Sequence, residues 1–416
     1  MKNTWFIRNS YLLLIAMFMA IPLFPRGISI IPTLVFLIGL GYFIYRPKLI
    51  WNELVKSRYI YVFLVFFIPG LISLIDSLDP AKTSHALWRM VRYSAFSIIA
   101  LFMVNNEKSE KRFETVMFWF MVFICVDAMS HWLFHFNIYG HNPLPSNSRV
   151  RGIFGERYHL SYFVATLSPL VFFYLAERIQ EKKTLYLILT PIILVMLILT
   201  VLVGGARAGF VSLFVSMFLF VLVAMKKGWI KRKLRFIGIS LVLLVIAGGI
   251  AVQSDTIQKR FKQTTTVSQN QDFLDRFTSM RTNIWHVTIE QIPNYWVNGL
   301  GVRAFDKVYQ TYPDDYKIFE QVHHVHLHLL EVLIETGIIG LIPYILLCGY
   351  LLYMVLVARK GNAWFLVAFL AIMPINSHAS LFDADWLPVI WSSLAIALML
   401  ERNSVRIECE APSIVF

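Results

Sequence analysis

The feature that most limits this chain is the recurrence of apolar stretches close to the ~20 residues a helix needs to cross a bilayer. They fall near 11–25, 28–45, 59–75, 90–104, 113–135, 159–176, 185–203, 208–225, 236–252, 329–357, 362–377 and 386–400. The spacing predicts twelve spans and an all-α polytopic membrane protein. Composition agrees, since 57% of residues are apolar and only 15% are charged, against about 25% in soluble domains. The first residues, MKNTWFIRNSYLLLIAMFMAIPLFPRG, pair a basic start with an apolar core. Lacking a small-x-small cleavage site and followed at once by more spans, they read as a retained first helix.

A formal net charge of +13 would suggest nucleic acid in a soluble protein, but here the lysines and arginines follow the topology. Lys2 and Arg8 precede span one; Arg46, Lys48, Lys56 and Arg58 follow span two; Lys108, Lys111 and Arg112 follow span four. Arg178, Lys182 and Lys183 follow span six, Lys226 to Arg235 follow span eight, Arg359 and Lys360 span ten, and Arg402 and Arg406 span twelve. Every second loop is basic, which predicts cytoplasmic termini and contact with anionic lipid rather than nucleic acid. The three cysteines, Cys125, Cys348 and Cys409, form no CxxC pair or disulfide framework.

The opposite face should carry one large loop between spans nine and ten. This divides the chain into 1–252 (spans one to nine), 253–325 (loop) and 326–416 (spans ten to twelve and the tail). In the loop eight basic residues balance eight acidic ones. Its length points to function, and its aromatic and apolar positions suit short helices lying on the membrane surface.

On that outer face arginines need a reason that topology does not supply. Arg207, in GGARAGF, is flanked by glycines that allow close backbone approach. It could clamp phosphate bidentately or snorkel to lipid headgroups. Arg281 lies four residues before Trp285, a spacing that suits one helix face. The glycines of NGLGVRAF, 299 and 301, would turn the loop back toward the membrane; with no strand–helix context they are not a dinucleotide fingerprint. The stretch HHVHLHLLEVLIETGIIG, from His323 to Gly340, sets four histidines and two glutamates at the mouth of span ten. In a helix His324, His328 and Glu331 would share a face as a metal set, although no HExxH is present. Alternatively a histidine could accept a hydroxyl proton, or these side chains could bond water among the headgroups.

Taken in order, these elements resemble the O-antigen ligase and polymerase superfamily. RVRGIFGERYHLSYFVA resembles its R-x-G-x-F…PN…A element, with His159 where asparagine is usual; GGARAGF resembles S-R-[GAS]. SMRTNIW…NGLGVRAF resembles R-x-x-x-W…G-x-G-x-x-x-F, matching Arg281, Trp285, Gly299, Gly301 and Phe305. HVHLHLLEVLIETGIIGL resembles H-x-H-N-x-x-L-x-x-x-x-E-x-G-x-x-G, matching His324, His326, Glu335, Gly337 and Gly340, with Leu327 in place of asparagine.

The resemblance implies a GT-C-like fold in the bacterial inner membrane with a periplasmic site. It implies inverting, metal-independent transfer of O-antigen from undecaprenyl diphosphate to a lipid A–core sugar, without ATP or cofactor. His326 would take the acceptor proton while Arg207 and Arg281 hold the departing diphosphate. Arg151, Arg303, His324, Glu335 and Trp285 would contact donor or acceptor. The rival within the family is an O-antigen polymerase, whose acceptor is another lipid-linked repeat. The rival from another class is a flippase for the lipid-linked glycan, which would need no base. A single dominant outer loop favours the ligase, and no pair of broken helices points to an inverted-repeat transporter.

Overall fold

The computed structural model describes residues 9–23, 30–144, 149–229, 281–312 and 322–410. The ninth expected span, at 236–252, and loop residues 253–280 lie outside them. In chain order the helices are α1 (Tyr11–Leu23), α2 (Ile30–Tyr45), α3 (Pro47–Lys56), α4 (Tyr59–Ser73), α5 (Pro80–Ser94), α6 (Phe96–Val104) and α7 (Glu107–Phe134). A short hairpin, β1 (Phe136–Asn137) and β2 (Gly140–His141), and a 3₁₀ turn at Gly152–Phe154 precede α8 (Leu160–Gln180), α9 (Thr184–Gly204) and α10 (Arg207–Lys226). Then come α11 (Thr282–Tyr295), α12 (Phe305–Thr311), α13 (His328–Val357), α14 (Asn362–Ile372) and α15 (Leu387–Glu410). The protein is all-α, and among the described residues six helices are long and apolar enough to cross a membrane. A seventh is added if α2 and α3, bent by 111° at Arg46, count as one broken span.

By packing, the chain divides into two units, residues 1–110 with 271–416, and residues 111–270. In the second, α8 lies between α9 and α10 and is buried from Leu160 to Leu175. Small residues permit this, because membrane helices associate through close packing and interhelical hydroxyl bonds. A Cβ on Gly209 would come within 2.3 Å of Ser161 Oγ. Ser161 Oγ donates to Val201 O at 2.9 Å, and Ser168 Oγ pairs with Ser216 Oγ at 2.7 Å.

In the first unit, α13 packs on α4, α11 and α14, α14 packs on α15, and α15 packs on α6. The loop region has its own apolar core, in which Ile284 and Val287 of α11 meet Phe305 and Val308 of α12, Val325, and Ile334 of α13. Each such side chain contributes about 1.5–3 kcal/mol on burial, which holds α11 and α12 against the start of α13. The glycine motifs find their explanation at a break in α13. Gly337 has φ 63° and ψ −167°, so the N–H groups after it cannot reach their helical acceptors. Ile338 N donates instead to Trp296 O at 2.8 Å and Ile339 N to Val297 O at 3.3 Å. The carbonyls left over are filled in return, Ile334 O by Leu300 N at 2.9 Å and Glu335 O by Gly301 N at 3.2 Å.

Residues 296–301 are thus spliced into the helix, and these four backbone groups at the kink each have a partner, as apolar surroundings require. Contact is close enough that a Cβ on Gly299 would sit 2.3 Å from the Glu335 carbonyl. The other side of the same loop rests on the approach to α5. Leu78 N donates to Leu300 O at 3.0 Å, Thr83 Oγ1 donates to Val302 O at 3.0 Å, and Lys82 pairs with Asp306.

Candidate functional site

The helix of the histidine stretch begins at His328, with Leu327 extended before it. His324 and His326 therefore precede the helix, which corrects the expectation that His324, His328 and Glu331 share one helical face. His326 itself adopts φ 57°, a left-handed conformation uncommon outside glycine and one that surrounding contacts must hold. Those contacts come from two sides. Trp285, one turn into α11, donates Nε1–H to Val325 O at 3.1 Å, holding the residue between the two histidines. From the other side, residues 374–382, between α14 and α15, wrap the start of α13. His328 N donates to Asn376 O and Leu329 N to Pro374 O, both at 3.0 Å, so carbonyls meet N–H groups that a helix start leaves unsatisfied. His328 Nε2 bonds Ala379 O at 2.8 Å, while the Glu331 carboxylate accepts from Ser380 Oγ and Leu381 N.

Ser377 is where this segment meets the candidate chemistry. Arg281 Nη1 donates to Ser377 O at 2.7 Å and to Ser377 Oγ at 2.8 Å, and His326 Nδ1 lies 3.3 Å from the same carbonyl. A carbonyl only accepts, so Nδ1 carries the proton and Nε2 keeps its lone pair. Burial, and then the Arg281 charge, push the His326 pKa down to about 3, with the Ser377 carbonyl opposing in part. His324, whose ring centre is 3.8 Å from that of His326, is held well below the usual imidazole range, first by burial and then by His326, Arg303 and Arg281. Both rings are neutral at physiological pH. With a folded value below the unfolded ~6.5, the unfolded chain binds the proton first as pH falls. Stability is complete above about pH 6.5 and is lost progressively toward pH 3. A melting midpoint that did not fall between pH 7 and pH 5 would contradict this.

Arg303 also adopts a left-handed φ, 66°, and its charge acts on His324, Glu331 and Glu335. Glu335, grouped from sequence with the substrate contacts, is 0% exposed at the α13 break. The structure therefore places it among the groups around the splice rather than on an accessible wall. Among the described residues, no three His, Cys, Asp or Glu side chains converge as a metal ion would require.

Arg207 and Arg151 belong to the second unit. Arg207 opens α10 directly after the Gly204–Gly205–Ala206 turn. Val150 N donates to Val203 O at 3.2 Å, tying the strand of chain around Arg151 to the end of α9. The 3₁₀ turn that follows is held to α7 by His131 Nδ1, which accepts from Gly152 N at 3.0 Å, while Asp127 Oδ1 of the same helix accepts from Ile138 N in the hairpin at 2.7 Å. Arg151 Nη2 donates to Tyr158 Oη at 3.0 Å.

Six of the eight residues singled out from sequence, Arg281, Trp285, Arg303, His324, His326 and Glu335, thus gather in the first unit. Sequence reasoning missed Ser377. Its only signal was the polar run NSHAS between two apolar stretches.

A family model described as O-Antigen ligase matches residues 192–345. The match runs from within α9 through the α13 break and includes Arg207, Arg281, Trp285, Arg303, His324, His326 and Glu335. The comparison with curated proteins gives no match.

Proposed function

We propose, from the match of a family model described as O-Antigen ligase to residues 192–345, that the chain is a membrane glycosyltransferase. In this reading it moves O-antigen from undecaprenyl diphosphate to a sugar of the lipid A–core. The reaction takes place on the periplasmic face of the bacterial inner membrane, with twelve spans and cytoplasmic termini. The observation that carries the mechanism is the Ser377 carbonyl, shared by the Arg281 guanidinium and the His326 imidazole. It presents one group suited to an anion next to one suited to a hydroxyl proton.

The acceptor hydroxyl attacks the anomeric carbon as the bond to the diphosphate breaks, inverting that centre. His326 Nε2 takes the hydroxyl proton, and guanidinium charge offsets what develops on the leaving diphosphate. Arg281 depresses the basicity of His326, so an anion paired with Arg281 relieves that repulsion. The base strengthens when the donor is bound. Arg207, in the second unit, is assigned to phosphate binding, and Arg303 and His324 to substrate contacts.

Three measurements follow from this assignment. First, kcat/KM reports the free enzyme, so it should show no acid limb near pH 6.5 that disappears in His326→Gln. Such a limb would mean an ordinary imidazole. Second, Ser377→Ala removes one acceptor from a charged donor, an interaction worth ~1.5 kcal/mol or more, so KM for the lipid-linked donor should rise about tenfold. An unchanged KM would detach Ser377 from donor binding. Third, Arg207→Lys keeps the charge but loses the fork, and wild-type transfer in that variant would count against a bidentate clamp.

Whole-cell analysis tests the function itself. In cells lacking the gene, long glycan stranded on the carrier lipid, with bare core on lipid A, is expected. Single repeats on the core would mean a polymerase, and donor retained on the cytoplasmic side would mean a flippase.

A further inference from the structure

We propose that the β1–β2 hairpin, folded back along α7 with its apolar side chains outward, dips into the membrane and contacts the acyl chains of the leaflet at the C-terminal end of α7. The inference goes beyond the transferase reading and is independent of it. It requires only that α7 cross the membrane, as its length and apolarity allow.

α7 ends at Phe134, and His135 takes φ 55°, a left-handed conformation that often closes a helix and turns the chain. Phe136 and Asn137 then run back beside the helix, opposite His141 and Gly140. This brings Ile138 N to Asp127 Oδ1 at 2.7 Å. Asp127 stands seven residues before the helix end, so the tip of the hairpin sits about 10 Å back from that end.

An element at that level has to satisfy its own backbone, because lipid offers no hydrogen bonds. The polar groups of the hairpin do turn inward. Tyr139 N donates to Asn137 Oδ1 at 2.9 Å, Asn142 N donates to His135 O at 2.8 Å, and His131 Nε2 donates to Asn142 O at 3.0 Å. Asp127, His131 and Asn137 are all buried. The apolar groups turn outward: Phe134, Phe136 and Ile138 are 71%, 54% and 48% exposed among the described residues. Buried polar groups beneath a cluster of exposed large apolar ones reverse the partition expected of a loop in water.

The surface that this cluster borders identifies its occupant. Trp119, Phe123, Val126 and Leu133 of α7 are exposed as well, at spacings that set them along one helix face. On a membrane span that face meets acyl chains. Around the helix axis Phe134 falls between this stripe and the Asp127–His131 edge that holds the hairpin, so one apolar surface runs from the span onto the hairpin. Tyr139 has the amphipathic character common at membrane–water boundaries. Its side chain is exposed, yet its Oη donates to Ile153 O at 2.9 Å. That bond, with Asn137 Nδ2 donating to Gly152 O at 3.4 Å, fastens the 3₁₀ turn after Arg151 to an element seated in lipid.

The test uses the full chain in vesicles of phosphatidylethanolamine and phosphatidylglycerol, with a nitroxide on the Ile138→Cys variant. Collision with oxygen, which concentrates among acyl chains, is compared with collision with a neutral nickel chelate, which stays in water. Phe123→Cys marks the lipid-facing stripe and Lys183→Cys an exposed charged loop. The unsubstituted chain, treated alike, gives the background from Cys125, Cys348 and Cys409. The oxygen-to-nickel ratio at Ile138 should lie several-fold above that at Lys183 and approach that at Phe123. A ratio like that of Lys183 means a hairpin in water and overturns the proposal. Shielding from both reagents means a protein cover, whether a second copy of the chain or another partner, and overturns it as well. Should Ile138→Cys fail to fold, Phe136→Cys must give the same answer, since Phe136 is exposed beside it. Glycosyl transfer plays no part in this readout, so failure of the transferase reading leaves the outcome intact.

Discussion

Gly337→Ala is expected to abolish the folded, active protein. At φ 63° and ψ −167° the backbone occupies a region that is almost exclusively glycine's, costing about 1–3 kcal/mol for any other residue. The added Cβ would also stand 2.1 Å from Val297 O and 2.3 Å from Val297 C. Both are backbone atoms and cannot turn aside as a side-chain end could. Relief would require pulling residues 296–301 out of the α13 break, breaking four buried backbone hydrogen bonds. Each group left unsatisfied costs about 1–3 kcal/mol, so the total exceeds the usual 0.5–3 kcal/mol of a point substitution. The measurement is the melting midpoint in detergent together with transfer activity. Gly349→Ala is the control, because a Cβ there meets nothing within 4 Å. A stable, active Gly337→Ala protein would show that the splice is dispensable.

His326→Ala is expected to lower transfer by about 10²–10⁴-fold, the usual contribution of a positioned acid or base, while leaving the melting midpoint near that of wild type. The side chain is half-buried, and its hydrogen bond to Ser377 O among the described residues is long at 3.3 Å, so little stability rests on that bond. His323→Ala supplies the comparison, because His323 is exposed and its loss should change the rate by no more than about twofold, as surface changes usually do. Equal effects at the two positions would mean that His326 is not the base. A large loss of kcat with donor KM unchanged is the pattern expected, since the imidazole acts on the acceptor hydroxyl and not on the diphosphate.

The order of the motifs was legible along the chain because each is a local run of residues. Their meaning was not. Gly299 and Gly301 could be read as a turn, but not as a turn lying inside a helix break some 35 residues on. Gly337 could be matched to a motif, but not to a break in the helix that carries it. The proposed metal set failed for a related reason. It assumed that the helix period extended back to His324, whereas carbonyls from residues 374–376 cap the helix at His328. Arg149 lies at the start of the stretch RVRGIFGERYHLSYFVA but was not singled out, and what distinguishes it is sharing one tyrosine ring with Arg151.

The sequence by itself determined the class of the molecule, because the length and polarity of each run decide whether it can be helix in lipid, and that is a property of neighbours in the chain. It also carried the resemblance to a family, through residue types in order. Only the tertiary structure decided which groups act on one another. Arg281 and Ser377 are 96 positions apart, and no periodicity spans that distance. A hydrogen bond, a tautomer or a depressed imidazole depends on separations of a few ångströms, and those are set by packing rather than by order along the chain.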